Sequence, residues 1–298
     1  MTYSMVARDQ STGQLGVAVQ SHYFSVGSIV TWAEPGVGAV ATQSFAEPSY
    51  GPRGLELIRS GRSAAGALGE LIDQDKGEAT RQVAIVDNAG RVAVHTGRSC
   101  IPEAGHQVAD QASAQANMMR GDTVWHAMID AYSAGGGDLA TRLMAALEAA
   151  EAEGGDIRGR QSAAILVVGG RRSERPWEQR LFDLRVEDHP EPLPELRRLI
   201  DLKRAYDHVE QAEQRILAGD VQRALEHYEQ AAAAFPDNME FVFWRGVTLA
   251  AAGRVPEARE TLERAYAAND GWAELLRRLV TVGLIPEDPE LMRALLPG

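Results

Sequence analysis

The chain has 298 residues, of which 45% are hydrophobic and 24% are charged. This is enough apolar side chain for one large domain or two ordinary domains with buried cores. The formal net charge of −12 argues against sequence-independent nucleic-acid binding and against anionic membranes, because both need a basic protein surface. The single cysteine, Cys100, excludes an intrachain disulfide and any metal site built from several cysteines.

Short apolar stretches separated by glycine-rich turns predict a strand-rich first half. In chain order, we predict strands over residues 3–7, 15–20, 27–32 and 36–42, helices over 54–59 and 64–73, strands over 82–86 and 91–95, helices over 123–132 and 139–151, and strands over 161–168 and 180–186. This order indicates an α+β domain with sheets in the middle and helices outside.

The character of the sequence changes near residue 190, where residues 188–194 include three prolines. Proline fixes φ and removes an amide donor, so this segment indicates a linker or an abrupt helix start. We therefore predict one domain over residues 1–190 and a second, all-helical domain over residues 191–298.

The second half contains a repeat of 34 residues, because identical small residues recur at that spacing: Gly219 and Gly253, Ala224 and Ala258, Ala231 and Ala265. Glycine at the end of one helix and alanine where helices touch are typical of tetratricopeptide repeats. We predict repeats over about 205–238 and 239–272, with a truncated capping unit over 272–296. A generic helical bundle with chance spacing is the alternative.

The chain begins with Met1 and Thr2. Methionine is normally trimmed before a small residue, and its removal would leave Thr2 with both a hydroxyl and a free α-amine. An α-amine has a pKa near 7.7–8.0, so it can act as a general base and activate a threonine nucleophile. Starts of this kind are common, so the dipeptide alone is weak evidence for catalysis.

Six segments together resemble one bacterial family, the domain of unknown function family 1028. They are TYSMVARD (2–9), LGVAVQSH (15–22), SVGS (25–28), GVGAVATQS (36–44), YGPRG (50–54) and GDIRGRQSA (155–163). The resemblance covers roughly residues 2–187. This family is placed among the N-terminal nucleophile hydrolases, so the resemblance implies a four-layer αββα sandwich, here followed by the helical repeats. It implies no particular substrate.

By this resemblance, Thr2 falls at the nucleophile position, and Ser21 and His22 fall near where related hydrolases keep a residue that supports the nucleophile. Peptidases of the proteasome type have an acidic residue there and a lysine on a following strand. This chain has no lysine before Lys76, which leaves the supporting base unassigned.

Three further residues are candidates on chemical grounds. The amide of Asn117 can donate to an oxyanion, although an asparagine in a turn is the alternative. Arg158 and Arg160 can clamp a substrate carboxylate bidentately, although a pair of solvated loop arginines is the alternative. The histidines have no metal-binding spacing and the glycine-rich segments lack nucleotide-binding spacing, so we predict no metal and no cofactor.

Two functions stay open. The first is an amidohydrolase or peptidase that cleaves a small-molecule or peptide substrate through an acyl-enzyme on Thr2. The second is a non-catalytic ligand-binding or scaffold protein, whose first domain binds a ligand or self-associates into a homo-oligomer and whose repeats bind a protein partner. The resemblance favours the hydrolase narrowly. No signal peptide is visible, and the longest aliphatic run, residues 163–168, is far shorter than the roughly 20 residues of a membrane span, so we expect a cytoplasmic protein.

Overall fold

The computed structural model describes residues 2–297, and the chain divides into two compact units, Met1–Ile200 and Asp201–Gly298. In chain order the strands are β1 (Thr2–Arg8), β2 (Leu15–Ser21), β3 (Thr31–Glu34), β4 (Gly38–Ser44), β5 (Arg81–Asp87), β6 (Val92–Thr96), β7 (Gly105–Ala109), β8 (Ala112–Asn117), β9 (Ser162–Val168) and β10 (Arg180–Val186). The helices are α1 (Gly27–Val30), α2 (Tyr50–Arg59), α3 (Ala64–Asp73), α4 (Val124–Ala134), α5 (Leu139–Ala152), α6 (Pro192–Leu217), α7 (Val221–Ala234), α8 (Met239–Ala251), α9 (Val255–Ala268), α10 (Gly271–Thr281) and α11 (Pro289–Leu295).

The first unit is a mixed α/β domain with two antiparallel sheets. One sheet has six strands in the order β10-β9-β2-β1-β8-β7, and the other has four in the order β3-β4-β5-β6. Neighbouring strands pair antiparallel throughout both sheets. Strand β1 is central in its sheet, so both of its edges are hydrogen-bonded.

Alternation of side chains along the strands divides the core of this unit. Met5 of β1 lies in a cluster with residues of α4 and α5, whereas the next residue, Val6, lies in a cluster with residues of β4 and β5. Successive side chains of a strand point to opposite faces, so one face of the six-stranded sheet packs on helices and the other on the second sheet. On the four-stranded sheet, Val40 and Ile85 pack against α2 and α3.

Two local predictions were wrong. Residues 27–32 form the short helix α1 and then β3, because Val26 and Val30, four residues apart, are both buried on one side of a helical turn. The sequence also failed to predict β7 and β8. Strand β8 is rich in alanine, serine and amide residues, which have little intrinsic strand preference, and its pairing with β1 holds it in the sheet.

The second unit is all-helical, and it confirms the predicted repeat. Gly219 and Gly253 follow the first helix of their respective repeats and have almost identical φ values of +76° and +75°. Each adopts the left-handed conformation that glycine accepts at a helix end. The four repeat alanines are fully buried: Ala224, Ala231, Ala258 and Ala265. Among the described residues, no helix combines the length and apolar character that crossing a membrane requires.

Candidate functional site

Thr2 lies at the end of β1, flanked by strands on both sides. It pairs with Asn117 of β8, and its Oγ1 donates a hydrogen bond of 3.1 Å to Oγ of Ser21 at the end of β2. Only 4% of Thr2 is exposed. Because β1 is a central strand, the backbone around Thr2 is held on both edges, and its hydroxyl has a fixed neighbour.

Three buried amide side chains surround the backbone of Thr2. Nε2 of Gln43 on β4 donates to the carbonyl oxygen of Thr2 at 3.2 Å and to Oε1 of Gln82 on β5 at 2.7 Å. Nδ2 of Asn117 donates to the same two acceptors, at 3.4 Å to Thr2 and 2.9 Å to Gln82. Nε2 of Gln82 donates in turn to the carbonyl of Ala116 at 2.9 Å. These bonds link the two sheets at the residue that the sequence predicts as nucleophile.

The orientation of these amides follows from their partners. A backbone carbonyl can only accept a hydrogen bond, so the NH₂ groups of Gln43, Gln82 and Asn117 must face the carbonyls that they contact. This orientation leaves two buried acceptors, Oε1 of Gln43 and Oδ1 of Asn117, without a partner among the described residues. A buried polar atom without a partner is costly by about 1–3 kcal/mol, so both oxygens are available to a donor that binds or forms here.

The backbone is strained at the two strand ends that meet Thr2. Ser44 follows Gln43 with a φ of +71°, and Met118 follows Asn117 with a φ of +57°. Residues other than glycine enter this region at a cost of about 1–2 kcal/mol, and such strain is concentrated at functional sites. In both places the residue with positive φ directly follows the amide residue that contacts Thr2.

A cavity of about 210 Å³ opens beside Thr2. Thr2, Gln43 and Ser44 contribute its polar wall, and the remaining lining residues are largely apolar: Tyr23, Val26, Ile29, Val30, Ala46 and Pro48. Among the described residues, those that line this cavity include no Asp, Glu, Lys, Arg or His. Thr2, the candidate nucleophile, therefore lines a cavity that has no charged side chain in its described wall.

The sequence-predicted residues Ser21, Asn117 and Thr2 come together, whereas His22 lies apart from them. The His22 side chain is exposed, with Nδ1 3.4 Å from the carbonyl oxygen of Arg160. Its backbone N–H donates to the buried carboxylate of Asp156 at 3.2 Å. His22 does not line the cavity beside Thr2.

Arg158 and Arg160 are engaged by carboxylates of the chain itself. Arg158 forms an ion pair of 2.7 Å with Asp156, whose side chain is fully buried. Arg160 contacts Glu191 at 2.6 Å and Glu151 at 3.4 Å. Neither arginine lines the cavity beside Thr2. Their proposed role as a clamp for a substrate carboxylate stays a prediction, and a substrate would have to compete with these internal partners.

A carboxylate lies close to β1 on the helical side of the sheet. Tyr3, which points away from the second sheet, donates a hydrogen bond of 2.8 Å to Glu151 of α5. Burial raises the pKa of the Tyr3 phenol well above its usual value, and the neighbouring Glu151 carboxylate raises it further. Because adjacent side chains of a strand point to opposite faces, this cluster is separated from the Thr2 hydroxyl by the sheet.

Sequence reasoning missed Gln43 and Gln82. Each is a glutamine beside an apolar run of its strand, GAVATQS and RQVAIVD, and a glutamine that is buried there must find hydrogen-bond partners. That signal could have drawn attention to them. Among residues 2–297, no group of three or more His, Cys, Asp or Glu side chains is placed to hold a metal ion.

The fold and this arrangement define the chain as a mixed α/β protein with a buried threonine at a strand end and a helical-repeat extension. Residues 2–196 match the model of the family of unknown function DUF1028, and residues 211–271 match a tetratricopeptide repeat model. The chain belongs to the DUF1028 family. The crystal structure of protein SPO2555 from Silicibacter pomeroyi, described with the same family model, is similar at 31% sequence identity and a TM-score of 0.60. The match covers 66% of this chain and 87% of that one. No curated protein matches the chain.

Proposed function

We propose that the chain is an amide-bond hydrolase of the N-terminal nucleophile type, with Thr2 as the nucleophile after cleavage of the bond before it. The observation that carries the proposal is the buried Thr2 hydroxyl, which contacts Ser21 and opens onto a cavity. Two face-to-face sheets with helices packed outside them support assignment to the four-layer αββα sandwich of those hydrolases. Met1 lies outside the described residues, so its removal is part of the proposal.

The chemistry needs both functional groups of Thr2. Its α-amine takes the proton of the hydroxyl as Oγ1 attacks the substrate carbonyl, and the resulting α-ammonium returns that proton to the departing amine. The C–N bond breaks and an ester forms on Thr2. Water then attacks this ester, again with the α-amine as base, and releases the carboxylic acid. Ser21 contacts the Thr2 hydroxyl at 3.1 Å, which holds Oγ1 in place before the attack, and the hydroxyl hydrogen turns from Ser21 to the α-amine as the attack begins.

The amide network acts by positioning Thr2. Gln43 and Asn117 hold the Thr2 carbonyl through their NH₂ groups. Their unpartnered oxygens supply acceptors beside the same residue, and an α-ammonium is a donor that matches them. Both protons of the Asn117 amide already have acceptors. We therefore assign Asn117 as a positioning residue rather than an oxyanion donor.

Three forms of the protein test the proposal. Thr2→Ser keeps the hydroxyl and the α-amine, Thr2→Ala keeps only the amine, and an N-terminal extension that resists cleavage keeps only the hydroxyl. We expect turnover of an amide substrate, and a covalent acyl adduct on residue 2, for wild type and Thr2→Ser alone. Intact mass first establishes whether residue 2 is the N-terminus. Equal turnover by Thr2→Ala would end the proposal.

A second candidate function is a scaffold that binds a protein partner through its tetratricopeptide repeats. The observation that favours it is an apolar cavity of about 410 Å³ in the second unit, where Leu217 is 89% exposed. We expect the partner to insert apolar side chains there. A partner cross-linked by wild type but not by a Leu217→Glu variant would support this function, and equal cross-linking by both would argue against it.

A further inference from the structure

None of the described residues that line the cavity beside Thr2 carries a charged side chain. Val26, Ile29, Val30, Ala46 and Pro48 supply aliphatic surface, and polar surface of similar extent accompanies it, with polar side chains from Thr2, Tyr23, Gln43 and Ser44. Polar groups beside the reacting atom and apolar surface beyond it are typical of a small-molecule site that binds an apolar group and orients one polar group.

Three arginines that could bind an anionic substrate group lie outside the cavity and form ion pairs with acidic side chains of the chain itself. Arg158 and Arg160 form ion pairs with acidic residues, and Arg81 pairs with Asp75 at 2.7 Å. None of these three arginines lines the cavity. A charged acyl group that enters this space loses hydration without gaining a counter-charge from any of the described side chains that line it, which is unfavourable.

The volume limits the size of the occupant. An apolar cavity of about 150 Å³ accommodates benzene, which has six non-hydrogen atoms. The cavity of about 210 Å³ then holds a group of roughly eight non-hydrogen atoms by the same scale. This is the size of a short branched aliphatic chain with its carbonyl, and a longer group would have to extend through the open side of the cavity.

Because Thr2 lines the cavity, an ester formed on its Oγ1 places the acyl chain inside, while the amine product departs. Resting on the proposed function, we infer that this site selects substrates whose acyl group is short, aliphatic and uncharged. A substrate carboxylate clamped by Arg158 and Arg160 would therefore lie outside this cavity.

Matched pairs of 4-nitroanilides test the inference, since all share one leaving group. The 4-methylpentanoyl and succinyl compounds have nearly the same shape, as do the butyryl and β-alanyl compounds, and each pair differs by one charge. We expect kcat/KM to be about 100-fold higher for the neutral member of each pair. Equal or better cleavage of the charged members would overturn the inference.

A substitution in the cavity wall should reverse the substrate preference, and this gives a second test. Ile29 is half-buried at the wall, so Ile29→Lys can place an ammonium there while its stem covers apolar surface. We expect this variant to shift the preference about tenfold or more towards succinyl, whereas Ile29→Leu keeps the preference for the neutral chain. Thermal melts check that both variants are folded. An unchanged preference in a folded Ile29→Lys variant would contradict the inference.

Binding without turnover separates this inference from the hydrolase proposal. 4-Methylpentanamide and succinamate are the corresponding primary amides, and their binding to Thr2→Ala, which lacks the nucleophile, can be followed by NMR chemical-shift changes at Ile29 and Val30. If no anilide is cleaved but the neutral amide alone binds, the cavity assignment stands and the hydrolase proposal fails. If neither amide binds, or succinamate binds as well, the assignment of the cavity is wrong.

Discussion

The side-chain amide of Gln43 in the four-stranded sheet donates a hydrogen bond of 3.2 Å to the backbone carbonyl of Thr2 in the six-stranded sheet. The same amide also reaches the carbonyl of Gln115 at 3.2 Å. One buried side chain thus connects two adjacent strands of one sheet to a strand of the other. The position of Thr2 therefore depends on how the two sheets pack, not only on the path of β1.

Replacement of Gln43 by methionine is expected to destabilise the fold. Gln43→Met keeps a similar volume but removes the hydrogen bonds of Gln43 to the Thr2 carbonyl, the Gln82 Oε1 atom and the Gln115 carbonyl, of which only the first two keep Asn117 as a donor. It also removes the unpartnered Oε1 of Gln43, which offsets part of this loss. We expect the net free energy of unfolding to fall by about 1 kcal/mol, measured by chemical denaturation. The control is Gln107→Met on β7, where the amide makes a single 3.4 Å contact near the surface. Equal effects of the two substitutions would show that the buried network contributes nothing specific.

Removal of the Ser21 hydroxyl is expected to slow acylation of Thr2. Ser21→Ala leaves the Thr2 hydroxyl without the acceptor that orients it, and we expect the acylation rate to fall about tenfold or more, with a smaller change in KM. Rapid-quench mass spectrometry of the residue 2 adduct measures this rate. Ser113→Ala is the matched control, because Ser113 is also a buried serine of this sheet but bonds Gln115. A rate for Ser21→Ala equal to that of the control would refute the orienting role.

The sequence predicted the parts of this structure that carry a local or periodic signal. The 34-residue spacing led to the helical repeats, and the family motifs led to Thr2 and Ser21. It did not predict β8, because alanine, serine and glutamine have weak strand preference and the strand depends on pairing with β1. For the same reason it could not show that Asn117, Gln43 and Gln82 meet, since residues on three different strands are brought together only by tertiary packing.

The glycines at the turns of the repeats allow the cost of the backbone conformation to be measured without a steric clash. A Cβ at Gly253 meets no atom within 4 Å, so Gly253→Ala is opposed only by the positive φ of +75°. We expect a loss of about 1 kcal/mol in the stability of the second unit, seen as faster hydrogen exchange in α8 and α9. Gly69→Ala in α3 is the control, because it also meets open space but lies within a helix, where alanine is preferred by up to about 1 kcal/mol. Opposite signs are expected for the two substitutions.

The environment of the Asp75 carboxylate predicts how the stability of the first unit changes at acid pH. Its carboxylate accepts hydrogen bonds from Nε of Arg81 at 2.7 Å, from the N–H of Gly77 at 2.7 Å and from the Tyr50 hydroxyl at 2.9 Å. The hydrogen bond from Arg81 is the main cause that lowers the pKa of Asp75 from its usual 3.8 to about 2. Because the folded state binds this proton more weakly than the unfolded chain, the carboxylate stabilises the fold at any pH above about 4.

This stabilisation should disappear as the pH falls from about 4 to about 2, where the folded protein also takes up the proton. Asp75→Asn has no such proton to bind, so we expect the variant to be less stable than wild type at pH 6 and the difference to shrink towards pH 2. Denaturant unfolding at a series of pH values measures it, with Asp73→Asn as a control that removes the same charge two residues earlier. If the difference between wild type and Asp75→Asn is constant across this range, Arg81 does not hold the carboxylate ionised in the folded protein.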